Sequence, residues 1–153
     1  MAGIFFHGIP GPQFISPRAF RRLQQKLPEE AIFWINATDP ASLCGIPLES
    51  VRGMVPARVA TTHLVYRGNR LIMVSKRNGK DLVIQPAPDD PHLPDYLGVL
   101  HHLLTRKFQP MKRVSIETIN GEKAPHSPYL PALRTFWDVA VDYKNVTLYR
   151  RIR

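Results

Sequence analysis

The stretch VATTHLVYRGNRLIMVSKRNGKDLVIQP, residues 59–86, decides the fold. Its runs VATTHLVYR (59–67), RLIMVSK (70–76) and DLVIQP (81–86) are rich in β-branched and aromatic residues, and they break at Gly68-Asn69 and Asn78-Gly79. Dipeptides of this kind tolerate the positive φ that tight hairpin turns demand. Three strands joined in this way predict an antiparallel meander.

Upstream, AIFWIN (31–36) is continuously apolar, the pattern of a buried strand. Before it, SPRAFRRLQQKL (16–27) predicts a helix, with Ser16 as N-cap and Pro17 in the first turn. Phe20, Leu23 and Leu27 share one face of that helix, and Arg18, Arg22, Gln25 and Lys26 lie on the other. A polar face of this composition suits a solvated surface and a phosphate-binding stripe equally. Ile4, Phe5 and Phe6 read as a short strand before the loop GIPGPQ, and residues 45–56 show no period and are expected to be irregular.

Downstream, PAPDDPHLPD (86–95) is a connection that serves either as a hinge between two lobes or as the loop leading to the next helix. That helix is expected over 96–108, with Leu97, Leu100, Leu104 and Phe108 at helical spacing and Arg106 and Lys107 in its last turn. RVSIETIN (113–120) alternates like a strand and runs into Asn120-Gly121. A short helix follows from Ser127 or Pro128 through Arg134, and DVAVDY, Lys144-Asn145 and VTLYRRI read as a terminal hairpin. The whole predicts an α+β fold in one domain over 1–153: an antiparallel β-sheet or small β-barrel with about three short helices.

The chain's 153 residues suffice for a sizeable core, and its 15 prolines disfavour a helical bundle. Lys and Arg number 21 against 12 Asp and Glu, a net charge of +9, so a polyanion is the expected partner, nucleic acid before membrane. The alternative is a basic domain that is merely soluble within a larger assembly. A single cysteine excludes an internal disulfide and a cysteine-based zinc site. With no signal-peptide pattern and no apolar run near the ~20 residues of a membrane span, the chain is expected to be cytoplasmic, with no membrane partner.

The motifs of chemistry are missing. There is no P-loop or dinucleotide-binding glycine pattern, and no cofactor is expected. His7, His63, His92, His101, His102 and His126 lack metal-ligand spacing; His101 and His102, adjacent on a helix, point about 100° apart. Ser42 and Cys44 have no nucleophile signature around them. A base-excising enzyme needs only one positioned acid, for which Asp39, Glu117, Asp138 and Asp142 are candidates, yet each suits a capping or solvated role as well.

Basic clusters carry more signal. The expected nucleic-acid contacts are Arg18, Arg22 and Lys26 on the first helix, then Arg106, Lys107, Lys112 and Arg113. Arg150, Arg151 and Arg153 add a basic terminus. Phe108, Trp137 and Tyr149 lie near cations in sequence, a combination suited to single strands, although most aromatics are expected in the core. With no base-reading motif, contact should be to phosphate.

The stretch INATDPASLCGIPL (35–48) gathers Asp39, Ser42 and Cys44. Asp39 is placed to N-cap a turn with Pro40 in its first position, Gly45 suits a left-handed exit, and Cys44 is expected to be a buried, inert thiol.

Together, GIPGPQFISPRAFRRL, INATDPASLCGIPL, VPARVATTHLVYRGNRLIMVS, RVSIETINGEKAPHSPYLPALR and DYKNVTLYR resemble the C-terminal end of the large helicase-related (Lhr) family of superfamily 2 DNA helicases. The most specific pieces are Gly8, Gly11, Gln13 and Phe14; Asn36, Asp39 and Pro40; Ile119, Asn120 and Gly121; and Ser127, Pro128 and Tyr129. The resemblance implies a β-rich accessory domain that helps an ATP-dependent motor, in cis or in trans, to hold single-stranded or tailed duplex DNA during repair, and hence a nucleoid-associated location. Longer C-terminal regions of the family are linked to base-excision glycosylases, which implies a glycosylase-like module as the alternative; a structural or oligomerising module is a third. Phe136-Trp137 stands where the family pattern has Gly-Phe, and the resemblance carries over no catalytic residue.

Overall fold

A computed structural model describes residues 2–3, 10–25 and 28–151. The expected strand at Ile4 to Phe6, His7, Lys26, Leu27 and Arg153 lie outside the described residues. Strands β1 (Ala2–Gly3) and β2 (Gln13–Phe14) form a short antiparallel ribbon that leads into α1 (Pro17–Gln24). Ser16 caps α1 as its sequence predicts: Oγ accepts the Ala19 N–H at 3.2 Å. No residue of α1 is buried, and Leu23, expected on an inward face, is 54% exposed.

The meander forms in the expected places. Strands β3 (Ile32–Asn36), β4 (His63–Arg67), β5 (Arg70–Lys76) and β6 (Asp81–Ile84) pair antiparallel in sequence order. At the β5–β6 corner Arg77, Asn78 and Gly79 all take positive φ. Gly79 is required there twice over: its φ is +90°, and a Cβ would stand 2.5 Å from Val114 Cγ1.

Helix α2 (Leu93–Tyr96) and helix α3 (Gly98–Thr105) are nearly continuous, interrupted at Leu97. They begin earlier and end earlier than the apolar spacing suggests. Arg106 leaves the helix with extended backbone, Gln109 turns at φ +45°, and the Met111 N–H returns to the Leu103 carbonyl at 2.9 Å. Phe108, expected on the buried face, is therefore 78% exposed.

The alternating run 113–120 is two strands instead of one. β7 (Val114–Ile116) joins one sheet and β8 (Thr118–Ile119) another, because inward residues 114 and 116 are followed by Ile119, one position out of phase. Glu117 makes the break: its N–H donates to the Lys80 carbonyl at 2.7 Å, and its carboxylate meets Arg77 at 2.6 Å and Lys80 at 3.2 Å. The sheet that β8 joins is antiparallel as expected except at one pairing, where β8 runs parallel to β6. Asn120 and Gly121, both at positive φ, turn β8 into β9 (Glu122–Lys123).

The last elements are α4 (Leu130–Phe136), which starts later than expected, β10 (Asp138–Val141) and β11 (Val146–Tyr149). The terminal hairpin is as read from the sequence. Two larger sheets result, of order β3-β4-β5-β6-β8-β9 and β10-β11-β7. Neither closes on itself, so the architecture is α+β with open sheets, and the small-barrel alternative is not what forms.

One core joins them. Val65, Met73 and Leu82 from the large sheet, Leu97, Leu100 and Leu103 from the central helices, Leu133 from α4, and Val114, Ile116, Val146 and Leu148 from the small sheet are in one buried cluster. Residues 86–95 are tied to this body, since the Tyr129 hydroxyl donates to the Pro86 carbonyl at 2.6 Å.

On the opposite face of the large sheet, Ala37, Cys44 and Leu64 form a small second cluster. This is the INATDPASLCGIPL corner. Asp39 Oδ1 accepts the Ala41 N–H at 2.8 Å, Gly45 takes φ +77°, and Cys44 is fully buried. Arg58 crosses over it, donating to the Thr38 carbonyl at 2.8 Å and the Cys44 carbonyl at 3.3 Å. The corner is a run of capped turns packed on the sheet, and its three reactive groups serve structure.

Candidate nucleic-acid interface

At one end of the small sheet, the C-terminus of α4, the ends of β10 and β11, helix α3 and the segment before β7 enclose a groove of about 1210 Å³. Local sequence places each wall. α4 ends at Phe136, and Trp137 is already extended (φ −128°, ψ 160°), so the chain passes directly from helix into β10. Asp138 lies opposite Tyr149 across the β10–β11 ladder, on the same sheet face. Leu148 pairs with Val114, which brings Lys112, just before β7, to the level at which Arg150 leaves β11.

The lining is cationic and aromatic. Lys112, Arg150, Arg151 and His101 contribute basic groups, Phe136, Trp137 and Tyr149 contribute rings, and Asp138 is the one acid among these residues. Arg151 is committed to the wall: it donates to the Thr135 carbonyl at 3.1 Å and the Arg134 carbonyl at 3.4 Å, and stands 3.5 Å from Asp138 Oδ1. It thereby caps the last turn of α4, where the helix dipole favours a cation, and neutralises the acid. Lys112 and Arg150 are exposed and have no ion-pair partner among the described residues.

Trp137 is buried, meets Phe136 edge-on at 5.8 Å and 77°, and its indole N–H has no acceptor among the described residues. Trp137 thus belongs to the core beside the groove, while Phe136 and Tyr149 remain 37% and 39% exposed.

α3 connects this groove to the main sheet. His101 faces the groove, whereas His102 lies against Trp34 at 4.4 Å. Beneath it is His63, whose Nε2 lies 3.2 Å from the Asn36 side-chain nitrogen. Asn36 Oδ1 already accepts from Thr38, so Nδ2 is the donor and His63 carries its proton on Nδ1. That Nδ1 is buried and has no partner among the described residues. Burial first, then the nearby His102 and Arg106, lowers the His63 pKa from 6.5 to about 4. His102 is lowered as well, by burial and then by Arg106.

Of the seven cations expected from sequence, only Lys112 lines the groove. Arg113 is its exposed neighbour, and Lys107 is exposed on the loop after α3. Arg106 donates Nε–H to the Gln109 carbonyl at 2.9 Å and closes that loop. Arg18 and Arg22 are exposed on α1, outside the groove, and Lys26 is outside the described residues. Leu23 of α1 borders a different cleft, where Glu30 pairs with Arg67 and the acids Glu29, Glu30 and Asp90 outnumber Arg67 and Arg70. The basic terminus and Tyr149, noted in the sequence as a cation cluster beside a ring, supply Arg150, Arg151 and Tyr149 to the groove, and Phe136 is the lining ring the sequence reading left out. The signal for the terminal group is the Tyr149-Arg150-Arg151 run at the end of a strand whose register returns it to Lys112.

No helix among the described residues is long and apolar enough to cross a membrane. Compared with family models, curated proteins and solved structures, the chain matches none of them.

Proposed function

We propose that this chain is a DNA-contacting accessory domain of an ATP-dependent, Lhr-like helicase that serves DNA repair at the nucleoid, with no motor motifs of its own. The observation that carries the reading is the groove, in which Lys112 and Arg150, without ion-pair partners among the described residues, flank aromatic rings, and Asp138, the one acid among the described lining residues, is neutralised by Arg151. The net charge of +9 and the resemblance to the Lhr C-terminal end support it. Asp138 is exposed and ion-paired, which offers the base-excision alternative no desolvated acid in this groove.

Binding to DNA is then expected to fall steeply with salt, since each phosphate contact releases a counterion. Titration of the chain into labelled single-stranded and duplex DNA across a salt series tests this. Loss of affinity with rising salt is the expected result; no affinity at low salt, or affinity with no salt slope, contradicts it. The motor partnership has its own test: a motor of this family should hold DNA longer when the chain is present, in cis or added in trans.

A further inference from the structure

Phosphate binding alone does not account for the aromatic half of the groove. Phe136, at the end of α4, and Tyr149, at the end of β11, are more than one-third exposed, although Val114, Ile116, Val146 and Leu148 of the adjoining sheet are fully buried. The core is complete without these two rings. The buried Trp137 ring meets Phe136 edge-on at 5.8 Å.

A groove aromatic gains little from paired DNA, because each base face in a duplex is covered by its neighbours. An unpaired base offers a free face, and stacking it on an aromatic ring is worth ~1–3 kcal/mol. The groove brings these two rings together with Lys112 and Arg150 in one lining.

We infer that the groove takes an unpaired DNA strand, with bases stacked on Phe136 and Tyr149 and the backbone running past Lys112 and Arg150. This inference rests on the DNA-binding reading above and adds strand selectivity to it. Duplex DNA meets the same cations through its phosphates but leaves the rings unused. Phe136 and Tyr149 are the selectivity residues.

Fluorescence anisotropy with a labelled oligothymidylate and a blunt duplex of equal length, at matched salt, separates the possibilities. The native chain should bind the single strand about tenfold or more tightly than the duplex, as stacking of one or more bases implies. The double variant Phe136→Ala with Tyr149→Ala should lose that preference while keeping duplex affinity and salt dependence. Tyr149→Leu alone, which retains apolar bulk at an exposed site, should lose part of it. Equal affinity of the native chain for both DNAs would overturn the inference and leave the DNA-binding reading standing. A folded double variant that retains the preference would do the same. Absence of affinity for either DNA would overturn both.

Discussion

Helix α1 and the groove at the end of the small sheet are both basic, yet the surroundings of their cations differ. α1 presents Arg18, Arg21 and Arg22 on a short helix with no buried residue, beside a cleft in which Glu30 neutralises Arg67. The groove sets Lys112 and Arg150 against exposed rings at one end of a three-stranded sheet whose β7 and β11 bury Val114, Ile116, Val146 and Leu148. A charge run on a convex helix is what solubility alone requires. Cations held in a concavity beside stacking surfaces are a more specific arrangement, because they concentrate field and offer a second interaction to the same ligand.

The largest contrast should appear in stability. Trp137→Ala removes a buried ring that joins α4 to the core and should cost about 3–5 kcal/mol, whereas Leu23→Ala on α1 should cost less than about 1 kcal/mol. Urea denaturation of the two variants measures this, and equal losses would show that α1 is as integral as the groove wall.

Acid should weaken the body behind the groove. His63 is held neutral with a folded-state value of about 4 against 6.5 for the unfolded chain. Between those values the unfolded chain binds the extra proton, so stability is full above pH 6.5 and declines as pH falls towards 4. The loss is about 3 kcal/mol from this group, and His102 adds to it in the same direction. His63→Gln should flatten much of that slope in pH-dependent denaturation; an unchanged slope would place its origin elsewhere. α1 has no histidine among its residues and should contribute nothing to the effect.

DNA affinity divides the two regions next. Lys112→Ala with Arg150→Ala should weaken binding about tenfold at moderate salt and lower the salt slope by about one unit per lost phosphate contact, while Arg18→Ala with Arg22→Ala should change affinity less than about threefold. Anisotropy titrations decide it, and the reverse order would move the interface to α1.

Caps give the smallest and most local contrast. Asp39→Ala should lower global stability by ~1 kcal/mol and Asp39→Asn by much less, because that corner packs on the Cys44 and Leu64 cluster. Ser16→Ala should cost a similar amount within α1 but leave the global midpoint in place. Amide exchange on α1 together with thermal melting distinguishes local fraying from global loss.

The legible parts of the fold were those governed by short-range rules. Gly68-Asn69, Asn78-Gly79 and Asn120-Gly121 each mark a turn that forms, and Ser16 and Asp39 each cap as their positions dictate. Expectations failed where tertiary partners decide. Phe108 has helical spacing, but the Met111-to-Leu103 hydrogen bond closes the chain before it. The run 113–120 looks like one strand until the phase of Ile119 is set against Val114 and Ile116, and only the ion pairs of Glu117 show where it divides. The groove was half legible for the same reason: Lys112 was visible as a cation, but its juxtaposition with Phe136 and Arg150 depends on sheet register and on Arg151 capping α4.

The central claim is that DNA meets the groove rather than the basic helix. The most direct measurement is an NMR titration of the isotopically labelled chain with a short oligothymidylate, following backbone amides and the Trp137 indole N–H. The account predicts shifts concentrated at His101, Lys112, Phe136, Trp137, Tyr149 and Arg150, with the amides of α1 little changed. Shifts centred on Arg18 and Arg22, with the groove silent, would contradict it.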